Sequence, residues 1–159
     1  MAMTSVDVLA RLPIFKDIPR EVLSRLAEHT SRQAFERNEV IVHQHDDAHD
    51  VYFLLAGSVQ FLIRFQGADD MLVGTTRDYG APIGWSVARE PHRYTATVRC
   101  EEPCELIHMP RSSLEQIIEQ YPQAGYDILR YLAAAVATRL EQARDLLVMP
   151  VRKAVAGTS

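Results

Sequence analysis

The sequence predicts a mainly β domain with flanking helices: an antiparallel, double-stranded, jelly-roll-like β-roll between N-terminal helices and a long C-terminal helix. Apolar residues recur at helical spacing over residues 6–30, switch to strand-like alternation over 32–110, and return to helical spacing over 111–148. Turn residues punctuate the middle region at short intervals, which marks several short antiparallel strands. A chain of 159 residues suits one domain, assigned to 1–148, with a tail at 149–159.

In the first region Val8, Leu9 and Leu12, then Val22, Leu23 and Leu26, share helix faces, so two short helices are expected, joined by residues 13–18. Pro19 is expected at the first position of the second, where its missing N–H costs nothing. In the middle region Val40 and Val42 alternate about Ile41, and Val51, Phe53 and Leu55 about Tyr52 and Leu54. Val59, Phe61, Ile63 and Phe65 alternate with Gln60, Leu62 and Arg64. Between these runs lie the turn segments Arg37-Asn38-Glu39, His45-Asp46-Asp47, Ala56-Gly57-Ser58 and residues 66–70. Gly57 is read as a positive-φ turn residue. Further strands are expected over 72–77, 95–101 and 105–109.

From Arg111 the chain is helical again. Ser112 or Ser113, with Glu115 in support, is expected to cap a helix running to about Gln120. After Pro122 a long helix is expected from about Gln123 to Val148, ended by Met149-Pro150. Ala133, Ala134, Ala135 and Ala137 make it slim enough for a second helix to approach. A homodimer seam is therefore expected over Leu132, Val136 and Leu140, the alternative being a helix packed only on its own roll.

Composition narrows the function. With 47% hydrophobic and 24% charged residues the chain can bury an ordinary core. A net charge of −4 argues against nucleic acid as a partner, and the Arg152-Lys153 pair reads as a solvated tail. No run approaches the ~20 apolar residues of a membrane span. The first residues lack a secretory pattern, so a cytoplasmic location is expected. Cys100 and Cys104 read as core thiols, their spacing fitting neither a disulfide framework nor a zinc site. His43, His45 and His49, beside Asp46, Asp47 and Asp50, have the residue types of a metal site but fall on a turn, and no metal is assigned. No serine elbow, P-loop or helical His-Glu pair is present, so no enzyme activity is expected.

Four stretches carry a resemblance. They are Leu12-Pro13-Ile14-Phe15 with Ile18-Pro19; the run from Val51 to Val59; Gly80 with Ile83-Gly84; and Arg93-Tyr94-Thr95-Ala96-Thr97-Val98. Together they resemble the cyclic nucleotide-binding domain family, of the cAMP receptor protein and Fnr type, over about Leu9 to Leu147. The resemblance implies a ligand-reading module with its phosphate-binding cassette over residues 82–93. The family places a glutamate after the cassette glycine, for the ribose hydroxyl, and an arginine before the closing small residue and alanine, for the cyclic phosphate. Here Trp85 follows Gly84 and cannot accept that hydrogen bond. Tyr94 takes the phosphate position, with Arg93 one place earlier, on the other face of a strand.

Each charge-assisted hydrogen bond is worth ~1.5–3 kcal/mol. Losing two weakens binding by roughly a hundredfold to tens of thousands of times. The resemblance therefore implies a sensor with weak or no affinity for cAMP and cGMP. Its ligand residues are Gly84, Trp85, Ser86, Arg93, Tyr94 and Thr95, and its ligand an uncharged or aromatic molecule. Two alternatives stay open: a ligand-free scaffold with the pocket plugged by Trp85, and a true cyclic nucleotide site in which Arg93 swings back. Related transcription factors carry a helix-turn-helix after the long helix, whereas this chain ends about a dozen residues beyond it. A stand-alone domain without direct DNA binding, acting through an unidentified protein partner, is the expectation.

Overall fold

Two antiparallel sheets enclose the core, and a long helix lies along the outside of one of them. The computed structural model describes residues 2–88 and 90–157, and only the backbone of residues 2, 3 and 150–156. The chain begins with β1 (Ala2–Met3), α1 (Val6–Arg11) and α2 (Arg20–Ala27). The roll follows as β2 (Ser31–Phe35), β3 (Val40–Val42), β4 (Asp50–Ala56), β5 (Val59–Ile63), β6 (Met71–Thr76), β7 (Pro82–Ile83), β8 (Thr97–Cys100) and β9 (Cys104–Pro110). Then come α3 (Arg111–Gln120) and α4 (Pro122–Ala156). One sheet has the order β1-β2-β9-β4-β7 and the other β3-β8-β5-β6.

The central strands are covered on both faces, Val51 to Leu54 of β4 and Leu106 and Ile107 of β9 being buried in succession. Val51 and Phe53 from β4, Val59 and Phe61 from β5, and Cys104, Leu106 and Met109 from β9 are buried in one core. The N-terminal helices close one end of it. Ser5 caps α1, its Oγ accepting the Val8 N–H at 3.3 Å. Leu9, Leu12 and Phe15 are fully buried, and Phe15 meets Phe53 edge-on at 5.5 Å. Burying side chains of this size contributes about 1.5–3 kcal/mol each.

Gly57 has φ +98°, and a Cβ there would stand 2.5 Å from the Pro103 carbonyl oxygen. Both the turn conformation and the close approach of the next hairpin require glycine at this position.

Several expectations need correction. Pro19 stands one place ahead of α2, as its N-cap. Neither Ser112 nor Ser113 caps α3: β9 runs straight into it, Pro110 takes the cap position without a side-chain bond, and Ser113 is buried. Phe65 lies beyond the end of β5 and is 63% exposed. β1, β2 and β7 were not distinguished, being either two residues long or, in Ser31–Phe35, mostly polar. The long helix passes through Met149-Pro150 to Ala156. Proline's fixed φ is compatible with a helix, and what it lacks is the N–H for the bond to the carbonyl four residues back. The side chains of Arg152 and Lys153 lie outside the described residues.

Both cysteines are buried thiols. Burial, followed by the hydrogen bond with Cys104, pushes the Cys100 thiol up from 9.0 to about 12. Above pH 9 the unfolded chain releases this proton while the folded one keeps it, so the folded state binds more protons there. Stability should therefore fall as pH rises from about 9 to 12, by ~1.4 kcal/mol per pH unit for a fully shielded thiol. Urea melts across this range should show that slope, reduced in Cys100→Ala. An equal slope in the variant would mean that Cys100 is not responsible.

Candidate functional site

The segment between β7 and β8 is positioned by one residue without a side chain. Gly84 has φ +85°, and a Cβ there would stand 2.9 Å from both the Asp50 carbonyl oxygen and Tyr94 Cε1. Past this pinch the chain makes a short 3-10 turn, Trp85–Ala88. It returns along the turn at residues 45–47, where the Tyr94 N–H donates to Asp46 O at 3.0 Å and Tyr94 O accepts from His45 N–H at 2.8 Å.

The Tyr94 ring is buried, and its hydroxyl donates to Asp50 O at 2.8 Å while the Asp50 N–H points back at it from 3.3 Å. Burial raises the phenol's pKa, and the Asp50 carboxylate adds to this against an opposing backbone hydrogen bond. Tyr94 thus fastens the exit of the cassette to the start of β4 and remains a protonated donor at neutral pH.

Arg93 points the other way. Its Nη1 donates to His45 O at 3.1 Å, Nη2 lies 3.7 Å from Asp47 Oδ1, and the side chain is 60% exposed. In the same turn His45 adopts φ +74°. Among the described residues no three His, Cys, Asp or Glu side chains converge as a metal site.

Two spaces flank Trp85. On its inner side Gly84, Ser86, Tyr94 and Thr95, with Phe61 and Val98, enclose a void of about 10 Å³. That is room for one water at most. On its outer side a cleft of about 540 Å³ opens between the roll and α4. Phe61, Ile63, Val73, Trp85 and Thr95 form one wall, and Leu129, Ala133, Val136, Arg139 and Leu140 the other. The Trp85 and Phe61 rings lie 5.6 Å apart at 34°, and the Arg139 guanidinium sits 5.1 Å from the Phe61 centroid. Arg139 Nη1 donates to Thr75 O and to Gln142 Oε1, both at 2.7 Å. Burial lowers this arginine's pKa, with Asp78 opposing the effect. Among the described lining residues only Thr95 and Arg139 carry polar side chains. A cleft so lined can hold a ligand, but it presents no general base and no activated nucleophile.

Five of the six residues read from the sequence, Gly84, Trp85, Ser86, Tyr94 and Thr95, stand around the small void, only Trp85 and Thr95 of them line the cleft, and Arg93 lies outside both. All three helix residues line the cleft, Leu140 being 69% exposed and Leu132, at 3%, also packing into its own chain's core. Sequence reasoning missed Phe61, Val73 and Arg139. A usable signal existed for the helix side: Leu129, Ala133, Val136, Leu140, Ala143 and Leu147 repeat at alternating spacings of four and three, with Arg139 directly before Leu140.

Comparison with known proteins agrees with this architecture. A profile of the family described as Cyclic nucleotide-binding domain matches residues 32–121. The cAMP-activated global transcriptional regulator CRP of Pasteurella multocida is 24% identical over 115 residues, 71% of this chain and 52% of that protein. The Global nitrogen regulator of a Nostoc species is 27% identical over 107 residues, 65% of this chain and 47% of that protein. The chain thus spans about half the length of the curated relatives it matches. A crystal structure described as a cyclic nucleotide-binding protein, from Geobacter metallireducens, superposes with a TM-score of 0.75 at 25% identity, covering 87% of this chain and 99% of that one. Among the described residues no helix is long and apolar enough to cross a membrane.

The Tyr94 staple gives a direct test. Tyr94→Phe keeps the ring and removes the hydroxyl, so unfolding in urea should show a loss of about 1–2 kcal/mol. A variant as stable as the parent would show that the bond to Asp50 does not hold the cassette.

Proposed function

This chain belongs to the cyclic nucleotide-binding domain family, and from that premise we propose that it is a non-catalytic regulatory sensor whose effector is a largely apolar or aromatic small molecule. One observation carries the reading: Trp85 follows the cassette glycine, Arg93 faces His45 and Asp47, and the space beside them is an apolar cleft of about 540 Å³. That volume falls within the ~300–1,000 Å³ of small-molecule sites, and such sites are mostly apolar with a few placed polar groups. Cyclic nucleotides are poor candidates, because neither of the family's charged contacts is available to them. A second reading, a ligand-free scaffold, is favoured by the inner void of about 10 Å³, which Trp85 helps to close.

Output in this proposal passes through α4. Its exposed stripe from Leu129 to Leu147 has coiled-coil spacing, suited to a second copy of the same helix. A partner α4 laid along it would roof the cleft, so occupancy and helix arrangement would be linked by differential affinity alone. A further protein partner would read that arrangement.

Two measurements test this. Saturating cAMP or cGMP should leave the melting temperature unchanged, whereas a ligand at 100 times its Kd adds ~2.7 kcal/mol and raises it by several degrees. A clear rise with either nucleotide would mean that Arg93 does reach the phosphate. In sedimentation equilibrium the protein should run as a dimer and Leu140→Glu as a monomer; a monomeric parent would remove α4 as a seam.

A further inference from the structure

Among the described residues Arg139 is the one charged side chain in the wall of the cleft, and its surroundings are unusual for a cation. It stands on the apolar stripe of α4, half-buried, with its guanidinium over the Phe61 ring. Among the described residues no carboxylate lies within ion-pair distance of it, although Arg20, Arg64, Arg93 and Arg111 each have one. Two neutral oxygens, Thr75 O and Gln142 Oε1, hold Nη1 in place. Nε and Nη2 have no acceptor among the described residues. Those two donors form the side-on fork of a guanidinium, whose spacing matches the two oxygens of a carboxylate.

A cation drawn partly out of water loses hydration, and here the two Nη1 bonds, the Phe61 ring and the more distant Asp78 restore it only in part, no carboxylate being in contact. An anion entering from solvent would restore it, with the protein having already fixed the donor's orientation. The rest of the cleft restricts what that anion can carry. Beyond Arg139 only Thr95 offers a hydroxyl, and Trp85, Val73, Leu129 and Val136 present apolar surface. A purine and ribose would leave most of their polar atoms unpaired there, each at a cost. An alkyl or aryl chain would not.

We infer that the effector is an amphiphilic monocarboxylate, an aliphatic or aromatic acid whose chain lies against Trp85 and whose carboxylate pairs with the Nε–Nη2 edge of Arg139. This deepens the proposed function and rests on its reading of the cleft as the ligand site.

Trp85 is the sole tryptophan of the chain, so its emission reports on the cleft without labelling. The probes are decanoate and phenylbutyrate, each titrated beside its neutral amide. Both acids should shift the emission and bind about ten- to a hundredfold more tightly than the amides, the range of one or two charge-assisted hydrogen bonds. Arg139→Met should abolish that preference while leaving amide affinity intact, which also shows that the variant is folded. Arg139→Lys, with the charge but not the fork, should fall between. Equal binding of acids and amides, or a preference that survives Arg139→Met, would overturn the carboxylate assignment and leave the apolar site standing. No binding of any probe would overturn both. Tighter binding of cAMP than of either acid, lost in Arg139→Met, would assign the arginine to a phosphate instead.

Discussion

The arrangement depends on the contact among Gly84, Tyr94 and Asp50. The backbone of β4 passes so close to the cassette that a single methyl group on residue 84 would collide with a carbonyl oxygen and an aromatic ring at once. The ring in question belongs to Tyr94, and its hydroxyl spans the remaining gap to the Asp50 backbone. Entry and exit of the cassette are thereby tied to the same point on one strand. With Tyr94 turned inward, the residue before it has to turn outward, and Arg93 goes to the His45 turn. With Gly84 in the left-handed region, the chain leaves toward α4 and carries Trp85 with it.

This geometry divides what would otherwise be one pocket. On one side Phe61, Tyr94 and Trp85 leave a void of only about 10 Å³. Outside, the same Trp85 and Phe61 rings form the floor of an open cleft. The residue that closes the void on one side is part of the cleft wall on the other. The roll can therefore be closed and well packed while its outer face stays available for a ligand. Arg139 on the facing helix supplies the polarity that the floor lacks.

Much of the fold was legible from residue order. Alternation marked β4 and β5 as strands, although β4 is covered on both faces and buried without a break from Val51 to Leu54, and helical spacing marked α1, α2 and α4. Gly57 announced its backbone conformation through the turn around it, whereas the positive φ of Gly84 was not anticipated. What stayed hidden has a common cause. β2 is an edge-side strand whose sequence, Ser31–Phe35, is mostly polar, and its place is set by pairing with β9 rather than by its own pattern. The side of the strand on which Arg93 emerges depends on the Tyr94 bond to a residue 44 positions away. Arg139 could be seen as a charge on an apolar stripe, but its neighbour Phe61 comes from a strand far away in the chain. Local pattern reports what a residue does for its own element, and the site is made between elements.

The length of α4 has a mechanical consequence. Its 35 residues make a rod of roughly 50 Å, at about 1.5 Å per residue. Arg139 bonded to Thr75, and Gln142 lying against Gly74, form a fulcrum where the rod crosses β6. From there to Ala156 the arm measures roughly 20 Å. A ligand wedged into the cleft, on the near side of that fulcrum, acts as a shim under a lever. A tilt of about ten degrees would carry the far end sideways through roughly 3–4 Å, more than the ~1–2 Å helix shifts that suffice at many switching interfaces. Small changes of fit beside Trp85 would thus become displacements large enough for another protein to read.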